Sequence, residues 1–490
     1  MLAGDDTVKS AGVAYLPRLD SQTDTDYAAY KSRACFFNAT ARTCDGFVGL
    51  IFRRDPTVKL PDRVSGVAGA LRVFTDDVDL MGTSILTYAK GVVGEVVGLG
   101  RCGTLVDWEG EGEQRAYVVR YTAEQIINWQ TSRVNGRNVV TLVALSETIT
   151  TPSNDGFEGK ALEQIRVLRL VQAEPATGNG DWHYTVEVWR KRLMRQIAFG
   201  LWQRSSPKWE LVETRVPLRL GKPLPLIPFV FHGPRFSTPD VDKLPLADII
   251  AVNLDHFRLD ADYKHGLHFT ALPTAWVAGF DKESELRIGS STAWVTDTVG
   301  AVAGFLEFKG QGLSAFEQAM DRDERLMAIL GSKMLESTKR VGETVEAIEL
   351  RQSGENSVLQ ALALSVSDSI SQVLRWVYWW NSTEPYPEDV DEKLVLLQLN
   401  TDFGAKGMSS LELAAAVAAW QAGAISRETM FDLFRKGEVL PPGRTDAEEK
   451  RLVGEIGREN STGVFPNGST TPGGGTKTAE ATDETQMKHG

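Results

Sequence analysis

The sequence predicts an α+β chain of several domains, and three observations carry that prediction. Between Leu244 and Phe280 an apolar stripe keeps helical period. Its members Leu246, Ile250, Leu254, Phe257, Ala261, His265 and His268 recur at steps of three and four. From about Val139 to Phe231 the pattern changes to strand-length runs, VVTLVALSETI, QIRVLRLVQAE, WHYTVEVWR, KWELVETRV and LPLIPFVF. Turn-rich loops such as Pro175 to Gly180 separate them. Beyond residue 310 helical period returns and, apart from a strand near Lys393 to Leu399, holds to about Gly437.

Residues 1–20 read as an arm. Asp24 or Thr25 offers a cap for one helix running to Pro56, with Tyr27, Tyr30, Ala34 and Phe37 at helical spacing. A second helix, Gly82 to Gly98, leads into a strand from Thr104 to Trp108, and TAEQIINW, from Thr122, reads as a short helical turn. The stripe at Leu246 predicts a helix entered through Pro245, whose missing N–H costs nothing in a first turn. Gly266 and Pro273 bracket its exit into an extended segment, Thr274 to Ala278. Two strands are expected next, Gly289 to Asp297 and Ala303 to Lys309, then a helix from Ser314 to about Leu335. After a connector at Glu336 to Gly342, a long helical pattern runs from Glu343 to Trp380 with a break expected at Ser353-Gly354. Lys393 to Leu399 reads as a strand. Ser409 to Glu412 is a capping box, Gly423 a helix stop and Ser426 the start of a last helix ending at Gly437. From Arg458 onward Gly, Ser, Thr, Pro and Asn dominate, with too little apolar area to offset ordering entropy.

The 490 residues carry a formal net charge of −12 and 42% hydrophobic residues, enough for sizeable cores and roughly two to four domains. A free nucleic-acid binder is more often basic, so any DNA contact is expected to be local. Three cysteines, Cys35, Cys44 and Cys102, at unrelated spacings argue for a reducing compartment and against a disulfide framework or thiolate metal site. The start MLAGDDTVKS has no cationic residue followed by an apolar run, so no signal peptide is expected. No apolar stretch is long enough to suggest a membrane span.

Catalysis is not expected. Gly98-Leu-Gly-Arg-Cys-Gly103 fits G-x-G-x-x-G, but a helix precedes it and a strand follows, the reverse of a dinucleotide site, so a tight turn is the expectation. There is no G-x-x-x-x-G-K-[ST] and no nucleophile elbow. His256, His265 and His268 are spaced nine and three apart, which does not suit a helical metal pair, and packing or inter-subunit hydrogen bonding is expected of them. Glu109, Glu111 and Glu113 read as a solvated turn. No metal and no cofactor are expected. Residues 182–222 differ: Arg190, Lys191, Arg192, Arg195, Arg204, Lys208, Arg215, Arg219 and Lys222 interleave with Trp182, Trp189, Trp202 and Trp209. That mixture suits a DNA-facing or protein-docking surface, or else cationic edge strands that resist aggregation. Ser409 to Gly437 imitates a helix-turn-helix, but its second helix is too nearly neutral to read bases.

Several short motifs, in order, bear a family likeness. They are Tyr15-Leu-Pro17, then Tyr30-Lys-x-Arg-Ala34 through Asn38-Ala-Thr-x-Arg-Thr43 to Gly49-x-Ile-Phe-Arg53, and Leu226-Ile-Pro-Phe-Val230. Leu246-Ala-Asp248 leads to Asp262-Tyr-Lys-His265 and Pro273. Gly312-Leu-Ser, Ser353-Gly-Glu-Asn-Ser357 and Gly423-Ala-Ile-Ser426 close the series. Over roughly residues 15–455 the chain resembles the tailed-bacteriophage portal proteins, in particular a subfamily long catalogued only as a domain of unknown function. The resemblance implies a portal-type subunit: arm and wing at 1–135, β-rich clip at 136–232, stem helix at 233–270, wing with tunnel loop and long helix at 271–382, crown at 383–457 and a disordered tail at 458–490. A first stem helix is expected before the clip, near Thr122 to Ser132. The hairpin near Asp297 to Ala303 is the alternative tunnel loop.

The resemblance further implies a homo-oligomeric ring, usually twelvefold, at one capsid vertex of a virion, assembled in the host cytoplasm, without a membrane. Double-stranded DNA would pass through it without sequence specificity. Large terminase, head–tail adaptor and tail proteins, major capsid protein and scaffolding protein would be its partners. The residues it implies are Lys333, Lys339 and Arg340 for the channel. Arg190, Lys191, Arg192, Arg195, Trp189 and Trp202 would serve docking, and Asp248, Asp255, His256, Asp260 and Lys264 would line the stem. The alternatives are another head–tail connector component or a nucleic-acid-processing enzyme.

Overall fold

The computed structural model describes residues 1–453 apart from 62–65, 109–113, 135, 153–158, 173–181, 193–194, 199–200, 205–207, 272–273, 281–293, 295–296, 307–311, 334–356, 384–394, 402, 404–407, 409, 438 and 441–443. The chain is a mixture of helix and sheet divided into two units, Met1–Ala405 and Lys406–Gly490. The connector at Glu336 to Gly342, the break at Ser353-Gly354, the acidic turn at Glu109 to Glu113 and the tail from Arg458 lie outside the described residues. So does most of the strand expected at Gly289 to Asp297.

The first unit begins with helices α1 (Asp5–Ser10), α2 (Asp24–Arg33) and α3 (Ala39–Ile51). The expected arm is therefore packed structure: Val8 and Leu16 are buried beside Tyr27, Tyr30 and Phe36. The single helix expected from Asp24 to Pro56 is two. Thr23 and Asp26 form a capping box for α2, and the Asn38 side chain accepts from Ala41 N to start α3. Between them Ala34 is extended, and the freed Cys35 and Phe36 N–H groups donate to Asp260 and Asp5.

Strand β1 (Thr57–Lys59) leads to α4 (Gly66–Asp76), which sequence pattern alone did not reveal, and then to α5 (Ile85–Leu99). In α5, Ile85, Tyr88, Ala89, Val92, Val93, Val96 and Val97 form one buried stripe. Valine is a mediocre helix former, so burial of this face rather than propensity holds the helix. Gly100, with φ 74°, closes it in the left-handed region. Strands β2 (Cys102–Trp108) and β3 (Ala116–Thr122) follow. The turn expected at Thr122 to Trp129 is helical only over Ala123–Gln125, where Thr122 and Gln125 make a capping box. It then runs out as strand β4 (Ile126–Val134). No stem helix lies there.

Strands β5 (Arg137–Pro152), β6 (Gly159–Gln172), β7 (Trp182–Arg192), β8 (Arg195–Ala198), β9 (Leu201–Arg204), β10 (Lys208–Arg215), β11 (Leu218–Arg219), β12 (Lys222–Pro223) and β13 (Phe229–His232) complete the strand-rich stretch. They are not one module. A five-stranded antiparallel sheet has the order β10-β7-β6-β5-β4, while β13 leaves it to make a second sheet, β13-β2-β3. Val143, Leu145, Leu168, Leu170, Tyr184 and Val186 of the large sheet share one core with α5 and with β2.

Two helices of the middle chain, α6 (Ala247–Ala271) and α7 (Leu313–Lys333), flank a hairpin of β14 (Thr274–Ala278) and β15 (Val302–Leu306). Helix α8 (Val358–Asn381), capped by Ser357, then re-enters the main core through Leu359, Leu362, Val366, Ile370, Val373 and Val377. Its buried serines serve strand β16 (Leu396–Gln398). Ser371 Oγ accepts from Leu397 N at 2.9 Å and Ser367 Oγ from Leu399 N at 3.0 Å. Thus β16 pairs with β1 on one side and with two hydroxyls one helical turn apart on the other.

Arg219 closes the far end of α8. Its Nε donates to Trp379 O at 2.9 Å and its Nη2 to Ser382 O at 2.7 Å, while the guanidinium lies over the Trp379 ring. Both carbonyls stand at the helix C-terminus, where a cation is favourable; that of Trp379 also accepts from Ser382 N and Oγ. Arg219→Ala is expected to destabilise the first unit by about 1–3 kcal/mol in urea unfolding. A midpoint equal to that of the parent would show that the carbonyls are served as well by water.

The second unit holds α9 (Ser410–Gln421) and α10 (Arg427–Lys436). Gly423 has φ 70°, and the Ser426 side chain accepts from Thr429 N, as the sequence predicts for a stop and a start. Arg435 ties the unit together by binding Asp432, Asp446 and the carbonyl of Arg444.

Candidate functional site

Helix α6 carries polar residues on every side, and the structure shows what most of them do. Asn253 is buried. Its Oδ1 accepts from Thr40 N and Oγ1, and its Nδ2 donates to Phe37 O at 2.7 Å. Asp260 accepts from Cys35 N at 2.7 Å and pairs with Lys264 one turn on, at 3.3 Å. Asp262 accepts from Tyr30 Oη at 2.6 Å; burial first, and then this carboxylate, pushes the Tyr30 phenol pKa well up. Arg258 donates to Tyr15 O, and Phe257 meets Phe36 edge to face. One side of α6 is thus sealed by α1, α2 and α3.

The other side meets α7. Gly266 faces Leu313, Tyr263 Oη donates to Glu317, and His256 Nε2 lies 3.5 Å from Glu324. Falling numbers on one helix meet rising numbers on the other, so the two run antiparallel. Asp323 is buried between them, 2% exposed, with Oδ2 unpartnered among the described residues, as is His256 Nδ1. Burial, then the nearby Asp255 carboxylate, raises the Asp323 pKa.

Much of the polar surface of α6 is therefore satisfied within the chain. Of the five stem residues, His256, Asp260 and Lys264 find partners within the chain. Asp255 is exposed, and Asp248, also exposed, pairs with Lys243 at 3.2 Å.

At the end of the helix pair stands the hairpin. Its register is Thr274↔Leu306 to Ala278↔Val302, and the Trp276 ring lies across from and over Gly304, where a Cβ would meet it at 3.0 Å. Nine of its ten residues are apolar or glycine and none is charged. Trp276 is 45%, Val302 51% and Phe305 54% exposed. Leu267 and Phe269, near the end of α6, are also exposed. The sequence analysis expected an extended segment at Thr274 to Ala278 and a strand from Ala303, but not their exposed apolar character. The signal was present in TAWVA and VAGFL, two strand-length runs without the alternating polar residues that a half-solvated strand carries.

The channel and docking residues fare differently. Lys333 is the last residue of α7, and Lys339 and Arg340 lie outside the described residues. Arg190 and Lys191 are on an interior strand of the large sheet and are matched across it. Arg190 Nε donates to Gln164, and Lys191 pairs with Glu163, whose carboxyl it holds below the usual value. Trp189 Nε1 donates to Glu187. Arg192 ends the same strand, while Arg195 and Trp202 belong to the separate β8–β9 hairpin. Lys191 also lies over the ring of Trp209, 5.2 Å from its centre.

The glycine motif is a helix-to-strand turn. Gly98 faces Leu2, Gly100 is the left-handed cap, and a side chain at Gly103 would strike the Phe229 ring. Arg101 packs between Trp129 and Phe231, 3.9 and 4.7 Å from their ring centres. Among the described residues no cluster of three or more His, Cys, Asp or Glu could hold a metal, and no helix is long and apolar enough to cross a membrane.

Residues 245–381, the stretch from α6 to the end of α8, match a family described as a domain of unknown function, DUF4055. No curated protein matches. Among solved structures, one is a chain from the virion of a native gene transfer agent particle, at TM-score 0.36 and 12% identity, covering 87% of this chain and 98% of that one. Another is from the neck of the native particle computed with C12 symmetry, at TM-score 0.34 and 10% identity, covering 88% and 98%. Scores this low fall short of showing a shared fold.

Proposed function

We propose that the chain is a portal protein: the subunit of a closed homo-oligomeric ring, twelvefold in the usual case, that surrounds a DNA channel at one capsid vertex. The observation that carries this reading is the antiparallel pair α6–α7 with the hairpin at its end. A portal subunit needs a stem helix before the clip and another after it. On this chain those are α6 and α7, the clip is the stretch 272–312 between them, and the tunnel loop follows Lys333. The strand-rich stretch 136–232 passes from clip to wing, because its sheet shares the wing's core.

The role is non-enzymatic and needs no cofactor. A net charge of −12 disfavours tight hold of phosphates, which suits DNA that must slide, and Lys339 and Arg340 would touch it weakly and without sequence preference. Large terminase would dock during packaging. Adaptor and tail proteins would dock afterwards, with capsid and scaffolding protein around the ring, in a virion assembled in the host cytoplasm. Mass photometry and negative-stain imaging of the purified chain test this directly. Closed rings of one dominant stoichiometry with an open centre are expected; a monomer that persists at micromolar concentration sinks the proposal.

A further inference from the structure

We infer that Asp323 and His256 form a proton-dependent latch between α6 and α7: it closes when the two side chains share one proton taken from solvent and loosens when that proton leaves. The latch lies within a single chain, so it stands whether or not copies assemble into a ring. Three observations lead there.

First, two polar atoms are stranded at one level of the helix contact. Asp323 Oδ2 and His256 Nδ1 are both buried and without a hydrogen-bond partner among the described residues. Glu324, the next residue of α7, meets the other ring nitrogen, with its Oε1 3.5 Å from His256 Nε2. A buried acceptor without a donor is costly, so the contact is weakest at this level. The two stranded atoms are unbonded here, which is the loosened state.

Second, proton counting shows what would satisfy them. The imidazole has the Glu324 carboxylate at Nε2, and the Asp323 carboxylate is near enough to interact with it through charge. A neutral ring carries a single N–H. Whichever nitrogen holds it, the other turns a lone pair toward a carboxylate. One added proton removes the conflict. On the ring it makes both nitrogens donors; on Asp323 it supplies an O–H for Nδ1. In either position the two stranded atoms become partners, and the proton belongs to the pair.

Third, the surroundings do not neutralise Asp323 by other means. Arg322 Nη2 is 3.8 Å from Oδ1, too long for a hydrogen bond, and its side chain is 78% exposed, so water screens it. Asp255 on α6 adds a like charge. On the remaining side the Phe37 ring packs 5.7 Å from the His256 ring and holds Arg42 on itself. Burial and then Asp255 outweigh Arg322 and His256, and they raise the Asp323 pKa. A folded value above the unfolded one means that the contact strengthens as pH falls through it and weakens as pH rises.

The test is hydrogen exchange of residues 313–333 in the full chain, expressed as protection at each pH so that intrinsic rates cancel, and compared on the same oligomeric species. Asp323→Asn is uncharged and offers Nδ1 an N–H. Glu324→Gln lets a neutral ring donate to Asp323 while accepting from the new amide. Each variant removes the need for the extra proton, so each should slow exchange of α7 roughly tenfold relative to the parent at about pH 7.5. The gap should narrow as pH falls toward the ordinary carboxylate value of 3.8, because the parent then latches too. Unchanged exchange in both variants would overturn the inference. So would a gap of the same size at every pH, since packing does not titrate. Protection by Asp323→Asn alone would also overturn it, by showing that the penalty is that of Asp323 alone and that no proton is shared with His256.

Discussion

Arg166→Met should destabilise the first unit by about 3–5 kcal/mol, because it leaves two carboxylates in place after removing the charge that justifies them. Arg166 lies on β6 with its side chain 16% exposed; Nε is 2.8 Å from Glu147 Oε1, a close ion pair though not an aligned hydrogen bond, and Nη1 is 3.4 Å from Asp107. Tyr121 Oη and Gln164 Nε2 also donate to Glu147, at 2.5 and 2.6 Å. Burial works against the guanidinium charge, but Tyr121, Glu147 and Asp107 outweigh it and raise the Arg166 pKa. The network ties the large sheet to β2 and β3, so its loss loosens the joint between the two sheets. Removing Glu147 as well, as Arg166→Met with Glu147→Met, should recover part of the loss, since one orphaned charge goes too. A single variant within about 1 kcal/mol of the parent would mean the carboxylates are solvated and the joint is held by its apolar side chains alone.

How far the sequence showed this can be judged from particular residues. Helix α6 was legible because Phe257 and Ala261 keep its period and are fully buried, as is Leu246 just before it. What its polar residues do was not. Asp260 finds its partner at Cys35 and Asp262 at Tyr30, more than two hundred positions away, and no periodicity records such a pairing. The capping pair Thr122 and Gln125 is real, yet a local start signal does not say whether IINW continues as helix or strand; the sheet decides that by pairing it with β5. Likewise LPLIPFVF reads as one more strand of a series, and only the approach of Phe229 to Gly103 shows that it pairs with β2 instead. The partners of the cation-rich stretch were hidden for a related reason. Charge counted along a chain looks free, while in the sheet Arg190 and Lys191 each face an acceptor on β6.

The second large effect concerns acid. His232 is fully buried on β13, where Nε2 meets Thr104 Oγ1 at 2.6 Å and Nδ1 meets Ser369 Oγ at 2.7 Å. One arrangement places every proton: Tyr88 donates to Thr104, Thr104 to His232 Nε2, His232 Nδ1–H to Ser369, and Ser369 to Val366 O. A second proton on the ring would face the Thr104 hydroxyl proton and turn that end of the chain against itself. Burial alone is enough to lower the histidine pKa from 6.5 to about 3. The unfolded chain therefore binds one more proton than the folded chain between those values. It follows that stability rises with pH across this window and is lost as pH falls below about 6.5, by up to about 1.4 kcal/mol per pH unit. The network joins α5, β2, β13 and α8, so the whole first unit should carry the slope. Urea midpoints measured from pH 7 to pH 4 on the parent and on His232→Asn check it. Asparagine retains a donor and an acceptor but does not titrate, so whatever stability it loses at neutral pH, its acid slope should be shallower. Equal slopes would show that the acid sensitivity comes from carboxylates elsewhere.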